Sequence, residues 1–579
     1  MTPPELGLIV MTPAKACMHA FYTQATDGSK NDMLLVKERV RDKTGNETVN
    51  IRFIENFKRE YYVTKKQHRH THTTKKEFES FENLDTHLST QAHLASNIAR
   101  SLGMRSKGYV RMAELRESPY LYGTDISTTS LVKKQYKDRY PNYNPDATVA
   151  IFDLETNVFS ERGEILCGAV TMKDKVILAL TEDYVKDIPT PVETIQKAFD
   201  VYLKEVKEKR NITLYVKIAK NDLGVVRTIM GSLHKLKPDY AGAWNMAFDI
   251  GKILECLDYY GVDPKDIFCD PSVPPAYRRF DWRKAEMQKV TASGKTMSKH
   301  MADLWHVVDA PASFYMIDPM CFFKINRVAE QARNSYSLDA ILNEELNLGK
   351  LRFTEADEHS GLEWHKVMQT KYKVQYGIYN IFDCIGVEML DEKTKDISQA
   401  VNARLDITDP KNLISGPKNL ANALDGFLKK RGAVVSATAP NMTEEFDALT
   451  MDPSNIIITL ASELLAVKGT DVISDMPGCA SRIFTNVADV DIKSGYPTVG
   501  SIANIARHTR LTEICAIEGL SDISSDVIGD EDDHLPDIEL RTIAIDITAL
   551  RTNAIDLGVR LYNLPTMQDL LSDYLKDST

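Results

Sequence analysis

The 579-residue chain has no apolar run near the roughly 20 residues that a membrane span needs. The longest candidate, Ile456 to Val467, is broken by Thr459, Ser462 and Glu463. No basic segment precedes the short apolar stretch at the start, and prolines flank it, so a secretory signal is not expected. The eight cysteines stand singly, at Cys17, Cys167, Cys256, Cys269, Cys321, Cys384, Cys479 and Cys515, and no Cys-x-x-Cys pair exists. That spacing indicates neither a zinc ribbon nor a disulfide framework, and it suits a reducing compartment. No internal repeat is visible. A hydrophobic share of 43% and a charged share of 26% match an ordinary soluble globular protein, and the length suggests about three to five domains.

An overall excess of basic charge is also lacking: the formal net charge is −11. The excess is local. Residues 1–150 carry 23 basic and 17 acidic groups, whereas residues 511–579 carry 4 basic and 15 acidic ones. The last 69 residues therefore account for the whole imbalance, and residues 1–510 are neutral in sum. Net acidity argues only weakly against nucleic-acid binding, because local patches set that interaction.

Along the chain, residues 33–63 alternate in polarity around Lys43-Thr44-Gly45-Asn46, which predicts a two-stranded hairpin. Lys58 to Lys76 is basic, with seven Lys/Arg and three histidines. His68, His70 and His72 alternate, so an extended segment would place them on one face. A metal site or, better supported by the flanking lysines, a solvated or nucleic-acid-contacting edge would follow. Residues 84–103 read as a helix ending near Gly103. Pro141 and Pro145 mark a linker, and Thr148 to Phe152 reads as a buried strand. Pro191 opens a helix to about Lys209; Ile212 to Ile218 reads as a strand and Leu223 to Leu236 as a helix. Alternating strands and helices predict a mixed α/β domain from about 146 to 399. Residues 1–145 form a separate N-terminal α+β domain, and residues 400–475 are mainly helical in pattern. A strand at Phe484 to Ile492 opens another unit, and the acid-rich stretch after residue 510 reads as a loop-bearing extension.

Three carboxylate motifs stand out. Asp153 and Glu155 lie two apart at the end of the predicted strand, so both project from one face, roughly 7 Å apart at the backbone. Like charges so close are tolerated when a divalent cation or water compensates them. Asp249, in Asn245-Met246-Ala247-Phe248-Asp249, falls in the first turn of an apolar helix running to about Tyr260. Tyr379 and Asp383, four apart, share a helix face, where a phenol could hold an attacking water. Singly, each motif has an ordinary structural reading. Their order and spacing strengthen the joint case.

Together they resemble the 3′–5′ exonuclease domain of family B DNA polymerases of the phage type. The resemblance implies a ribonuclease-H-like fold and two divalent ions, Mg²⁺ or Mn²⁺. Asp153, Glu155, Asp249 and Asp383 would be ligands, and Tyr379 would orient the water. Asn245 and Phe248 would contact the frayed 3′ end of DNA. Downstream, Asp491-Ile492-Lys493-Ser494-Gly495-Tyr496-Pro497-Thr498 resembles motif A of the polymerase palm. By that resemblance Asp491 binds the catalytic metals, Ser494 approaches the triphosphate, and Tyr496 lies under the sugar. Gly495 departs from the family's larger residue.

Two palm motifs are missing. No Lys-x-x-x-Asn-Ser-x-Tyr-Gly and no Asp-Thr-Asp occur. Asp491 lacks the partner carboxylate that a two-metal clamp requires. The expectation is a partial polymerase, residues 476–510 forming the first part of the palm. It would proofread by itself and accept dNTPs only with a second chain carrying motifs B and C. Residues 511–579 would be an acidic extension or the start of the fingers, suited to docking on a basic partner. The resemblance leaves a sliding clamp open as a further partner, involves no membrane, and implies the cytoplasm of an infected bacterial host. The competing readings are a stand-alone 3′–5′ exonuclease with a vestigial palm and a non-enzymatic DNA-binding scaffold.

Overall fold

The computed structural model describes residues 13–438, apart from short stretches within 71–77, 105–109, 291–295, 329–332, 350–357, 402–406 and 413–414. Among these residues no helix is long and apolar enough to cross a membrane.

The first sheet is antiparallel and consists of Ala14–Gln24, Asp32–Arg41 and Glu47–Glu55. The predicted hairpin is present. The Asp42 carboxylate accepts the backbone N–H groups of Thr44 at 2.8 Å and Asn46 at 2.9 Å. Gly45 supplies the left-handed φ of +90° that the reversal needs. The predicted helix over 84–103 is only half right. Leu84–Ser89 is a strand paired with Arg59–Thr64, and the helix is confined to Leu94–Ser101. Pairing with a strand already formed decides the state of a segment whose own pattern is weak. His68 lies in a 3-10 turn, so the histidine alternation is not displayed on a strand; His72 falls outside the described residues. Farther on, Ala433–Val435 pairs antiparallel with Phe78–Ser80, after a helix over Gly416–Lys429.

The second sheet has six strands: β1 (Val149–Thr156), β2 (Ile165–Met172), β3 (Lys175–Thr181), β4 (Thr213–Ala219), β5 (Tyr240–Gly242) and β6 (Tyr315–Ile317). Their spatial order is β4-β3-β2-β1-β5-β6, and β2 runs antiparallel to both of its neighbours while the other pairs are parallel. The protein is thus mixed α/β, as expected. Along β1, Ala150, Phe152 and Leu154 face one core with helices α1 (Asp222–Leu236) and α2 (Met246–Tyr259). Ile151 faces the opposite core. That second core includes α5 (Lys373–Thr394), preceded by α3 (Pro319–Asn326) and α4 (Gly361–Lys371). Each apolar side chain buried in this way contributes roughly 1.5–3 kcal/mol. The alternation is what places Asp153 and Glu155 on the α5 side.

The strand β5 is only three residues long. At Gly242 a Cβ atom would stand 2.9 Å from Pro319 and 3.0 Å from Ile151, so only glycine fits between β1 and α3. Beyond Ile151, β1 continues with no strand on its β5 side among the described residues.

At the other end of this strand pair the N-terminal sheet is tied in by charge. Lys37 and Asp239 are fully buried and 2.7 Å apart. The Lys37 ammonium also donates to the carbonyls of Lys237 and Pro238, each at 2.7 Å, so its three protons are all placed. Arg39 pairs with the other Asp239 oxygen, which also accepts the Thr148 backbone N–H at 2.8 Å. Burial works to raise the Asp239 pKa, yet Lys37 and Arg39 outweigh it and the carboxyl lies below its usual range. Removing one partner from such a cluster leaves buried charge uncompensated. Lys37→Met is expected to lower unfolding stability by about 3 kcal/mol, read from denaturant midpoints. A change under about 0.5 kcal/mol would mean that Arg39 alone suffices.

Candidate metal centre

β1 carries Asp153 and Glu155 past the end of β5, and α5 carries Asp383 across the same face. One carboxylate oxygen from each of the three lies within 4.8 Å of the others. Asp383 is buried; Asp153 and Glu155 are partly open to solvent. The register to β2 shifts between Glu155 and Thr156, just after the two strand carboxylates.

Asp249 sits beside this group, from the other side of the strand. Its Oδ1 accepts the Leu154 backbone N–H at 3.0 Å. This N–H lies past the last residue of β1 that pairs with β5, and the carboxylate takes the place of a strand carbonyl. Burial and then the charge of Asp153 push the Asp249 pKa well above the usual carboxylate range. The same crowding raises the buried thiols Cys167 and Cys384, for which burial is again the larger cause.

A hard divalent cation prefers carboxylate oxygens. Three carboxylate oxygens within 4.8 Å of one another, with a fourth carboxylate adjacent, fit that requirement. The cluster could therefore hold a metal ion.

Two donors from α5 fix the strand carboxylates. Asn380, fully buried, donates from Nδ2 to Asp153 Oδ2 at 2.7 Å. The Tyr376 hydroxyl donates to Glu155 Oε2. Burial and the charge of Glu155 both raise the Tyr376 phenol, which stays protonated and remains a donor. Tyr376, Asn380 and Asp383 follow the spacing i, i+4, i+7, one stripe of the helix. The Tyr379 ring lies parallel to that of Tyr376, 6.0 Å away, and 4.9 Å from Trp364. Gln369 donates from Nε2 to Tyr376 Oη at 3.2 Å and to the Thr156 carbonyl at 2.8 Å, while its Oε1 accepts the Val158 N–H at 3.1 Å. His365 Nδ1 lies 2.8 Å from the same hydroxyl.

Of the remaining residues singled out in the sequence, Asn245 caps α2 in a left-handed conformation with φ +66°, which asparagine tolerates better than most residues. Phe248, next to Asp249, is 47% exposed. The palm residues Asp491, Ser494 and Tyr496, and the whole of 511–579, lie outside the described residues.

Sequence reasoning missed Tyr376, Asn380, Gln369 and Asp318. The first two were legible as the i, i+4, i+7 partners of Asp383. The other two were not, because they act across the fold. Asp318 accepts the N–H groups of Asn245 at 3.2 Å, Met246 at 3.0 Å and Met320 at 3.0 Å, capping α2 and α3 together. It thereby holds the turn from which Asp249 is presented.

No protein-family model matches the chain, and no curated protein does. The site therefore rests on its own geometry.

Burial raises Asp318 from 3.8 to about 6, against the lowering effect of the backbone N–H groups. The folded state thus holds a proton that the unfolded chain releases earlier. Stability from this group is greatest below about pH 4 and falls as pH rises to about 6, by roughly 3 kcal/mol in all, then levels off. Wild type measured against Asp318→Asn is expected to show that slope in urea midpoints between pH 4 and 7. A pH-independent difference would contradict it.

Proposed function

We propose that this chain is the N-terminal part of a family B DNA polymerase, and that the described residues include its proofreading 3′–5′ exonuclease. The observation that carries this reading is the convergence of Asp153, Glu155 and Asp383, from segments more than 200 residues apart, with Asp249 adjacent. A mixed sheet with acids on a central strand, flanked by helices on both faces, supports the ribonuclease-H-like fold that the resemblance implies.

Asp153, Glu155, Asp249 and Asp383 would hold two Mg²⁺ or Mn²⁺ ions. When bound, such ions lower the pKa of a water and stabilise the leaving 3′ oxygen of a phosphodiester. The chain's own residues supply the rest. Tyr379 orients the attacking water by a hydrogen bond. Phe248, about half exposed beside Asp249, packs on the frayed terminal base, where ring stacking is tolerant of sequence. Asn245 holds the same end of the strand. Asp153 and Glu155 are kept in place by Asn380 and Tyr376, so little reorganisation is needed when charge develops. On this reading Asp491, Ser494 and Tyr496 belong to a palm that a second chain completes with motifs B and C.

The test is degradation of 5′-labelled single-stranded DNA by the purified chain. Stepwise shortening from the 3′ end is expected with Mg²⁺ and none with a chelator. Asp153→Ala with Glu155→Ala is expected to lower the rate on the order of 10³-fold, the equivalent of several kcal/mol of lost stabilisation. An unchanged rate in the double variant would overturn the site. Templated dNTP incorporation is expected only after adding the second chain. Incorporation by this chain alone would remove the split, and no gain on addition would favour the stand-alone exonuclease.

A further inference from the structure

We propose that Tyr376 is a positioning residue of the nuclease site, which sets the affinity for the divalent cation by orienting Glu155. The proposal rests on the reading of the acidic cluster as a cation-dependent nuclease and assigns a role to a side chain that the motif resemblance leaves without one.

The argument turns on where one proton points. A phenol has a single O–H and two lone pairs. Gln369 cannot present its oxygen to Tyr376, because its Oε1 accepts the Val158 N–H and its Nε2 faces the Thr156 carbonyl. The amide must therefore donate to the Tyr376 oxygen. Among the described residues, Glu155 Oε2 and His365 Nδ1 remain as destinations for the phenolic proton. An ionised carboxylate is the stronger acceptor. The proton goes to Glu155, and His365 donates from Nδ1 to the second lone pair. All three positions on the hydroxyl are thus assigned, and the bond to Glu155 cannot rotate away without breaking the others.

The effect on Glu155 is specific. Its side chain could otherwise swing away from Asp153 and Asp383, relieving like-charge repulsion in the absence of a cation. The Tyr376 bond opposes that relaxation and occupies one lone pair of Oε2. The others stay available to a cation. Gln369 joins this bond to the end of β1 at Thr156 and to the loop after it at Val158, so the hydroxyl and the strand end move together. Outer donors of this kind typically alter metal affinity or activity by 10–100-fold when removed.

Tyr376→Phe in the full chain tests the proposal. The substitution keeps the ring that stacks on Tyr379 and lies near Trp364 and removes only the hydroxyl. Mn²⁺ binding, followed by loss of the free-ion paramagnetic resonance signal, is expected to weaken about 10–100-fold. The Mg²⁺ concentration giving half-maximal cleavage of single-stranded DNA is expected to rise in parallel, with the rate at saturating Mg²⁺ largely restored. A merely structural role would instead lower the rate at every Mg²⁺ concentration and leave Mn²⁺ affinity unchanged, which would overturn the assignment. If Tyr376→Phe unfolds, His365→Leu at the half-buried end of the chain is measured. A smaller shift of the same sign is expected, and no shift would also overturn it. Wild type that neither binds Mn²⁺ nor cleaves DNA would remove the nuclease reading and this proposal with it. Wild-type activity with an unshifted Tyr376→Phe titration would remove this proposal alone.

Discussion

The early end of β5 is the constraint on which the site depends. At Gly242 the chain passes close to Ile151 and Pro319, and its pairing with β1 ends there. The last residues of β1 are then unpaired with β5 along one edge, with a backbone donor to satisfy. Asp249 satisfies it at Leu154. A carboxylate is thus drawn to the strand end by a backbone requirement, and it arrives beside two others. Had β5 run three residues farther, a strand carbonyl would have taken that N–H, and the edge would have been closed.

The two ends of the β1–β5 pair carry opposite electrostatic solutions. At the amino end, Asp239 is fully buried but meets Lys37 and Arg39, with every ammonium proton of Lys37 placed. Opposite charges with full hydrogen bonding make a rigid joint between the two sheets. At the carboxyl end, like charges are gathered, and the crowding shows in the raised Asp249, Cys167 and Cys384. From helix α5, neutral donors hold two of these carboxylates. Asn380 and Tyr376 each present a hydrogen to a carboxylate without cancelling its charge. A lysine in either place would hold the carboxylate equally well and would compete with a cation for it. Neutral donors keep the site ordered and still attractive to a metal.

Capping extends the same logic outward. One buried carboxylate, Asp318, serves the first turns of both α2 and α3. It holds Asn245 in the left-handed conformation from which α2 starts, and Asp249 follows four residues later. The placement of Asp249 is thus linked to β6, the strand just before Asp318.

Much of this was legible beforehand. The run Thr148 to Phe152 is β-branched and aromatic, and Asp153 and Glu155 follow at a spacing of two, which determines that both acids share a face. The turn chemistry of Asp42 to Asn46 determined the hairpin, and the four-residue spacing of Tyr379 and Asp383 determined that they share a helix surface. Turns and face-sharing spacings depend on neighbours along the chain, so residue order suffices to derive them. It could not show that Leu84 to Ser89 is a strand, because its partner at Arg59–Thr64 decides that. Nor could it show which tyrosine reaches Glu155, or that Gln369 dictates the direction of one phenolic proton. These depend on distances between segments that only the tertiary structure brings together. Residue order determined which groups could form the site; packing around the short β5 decided how they meet.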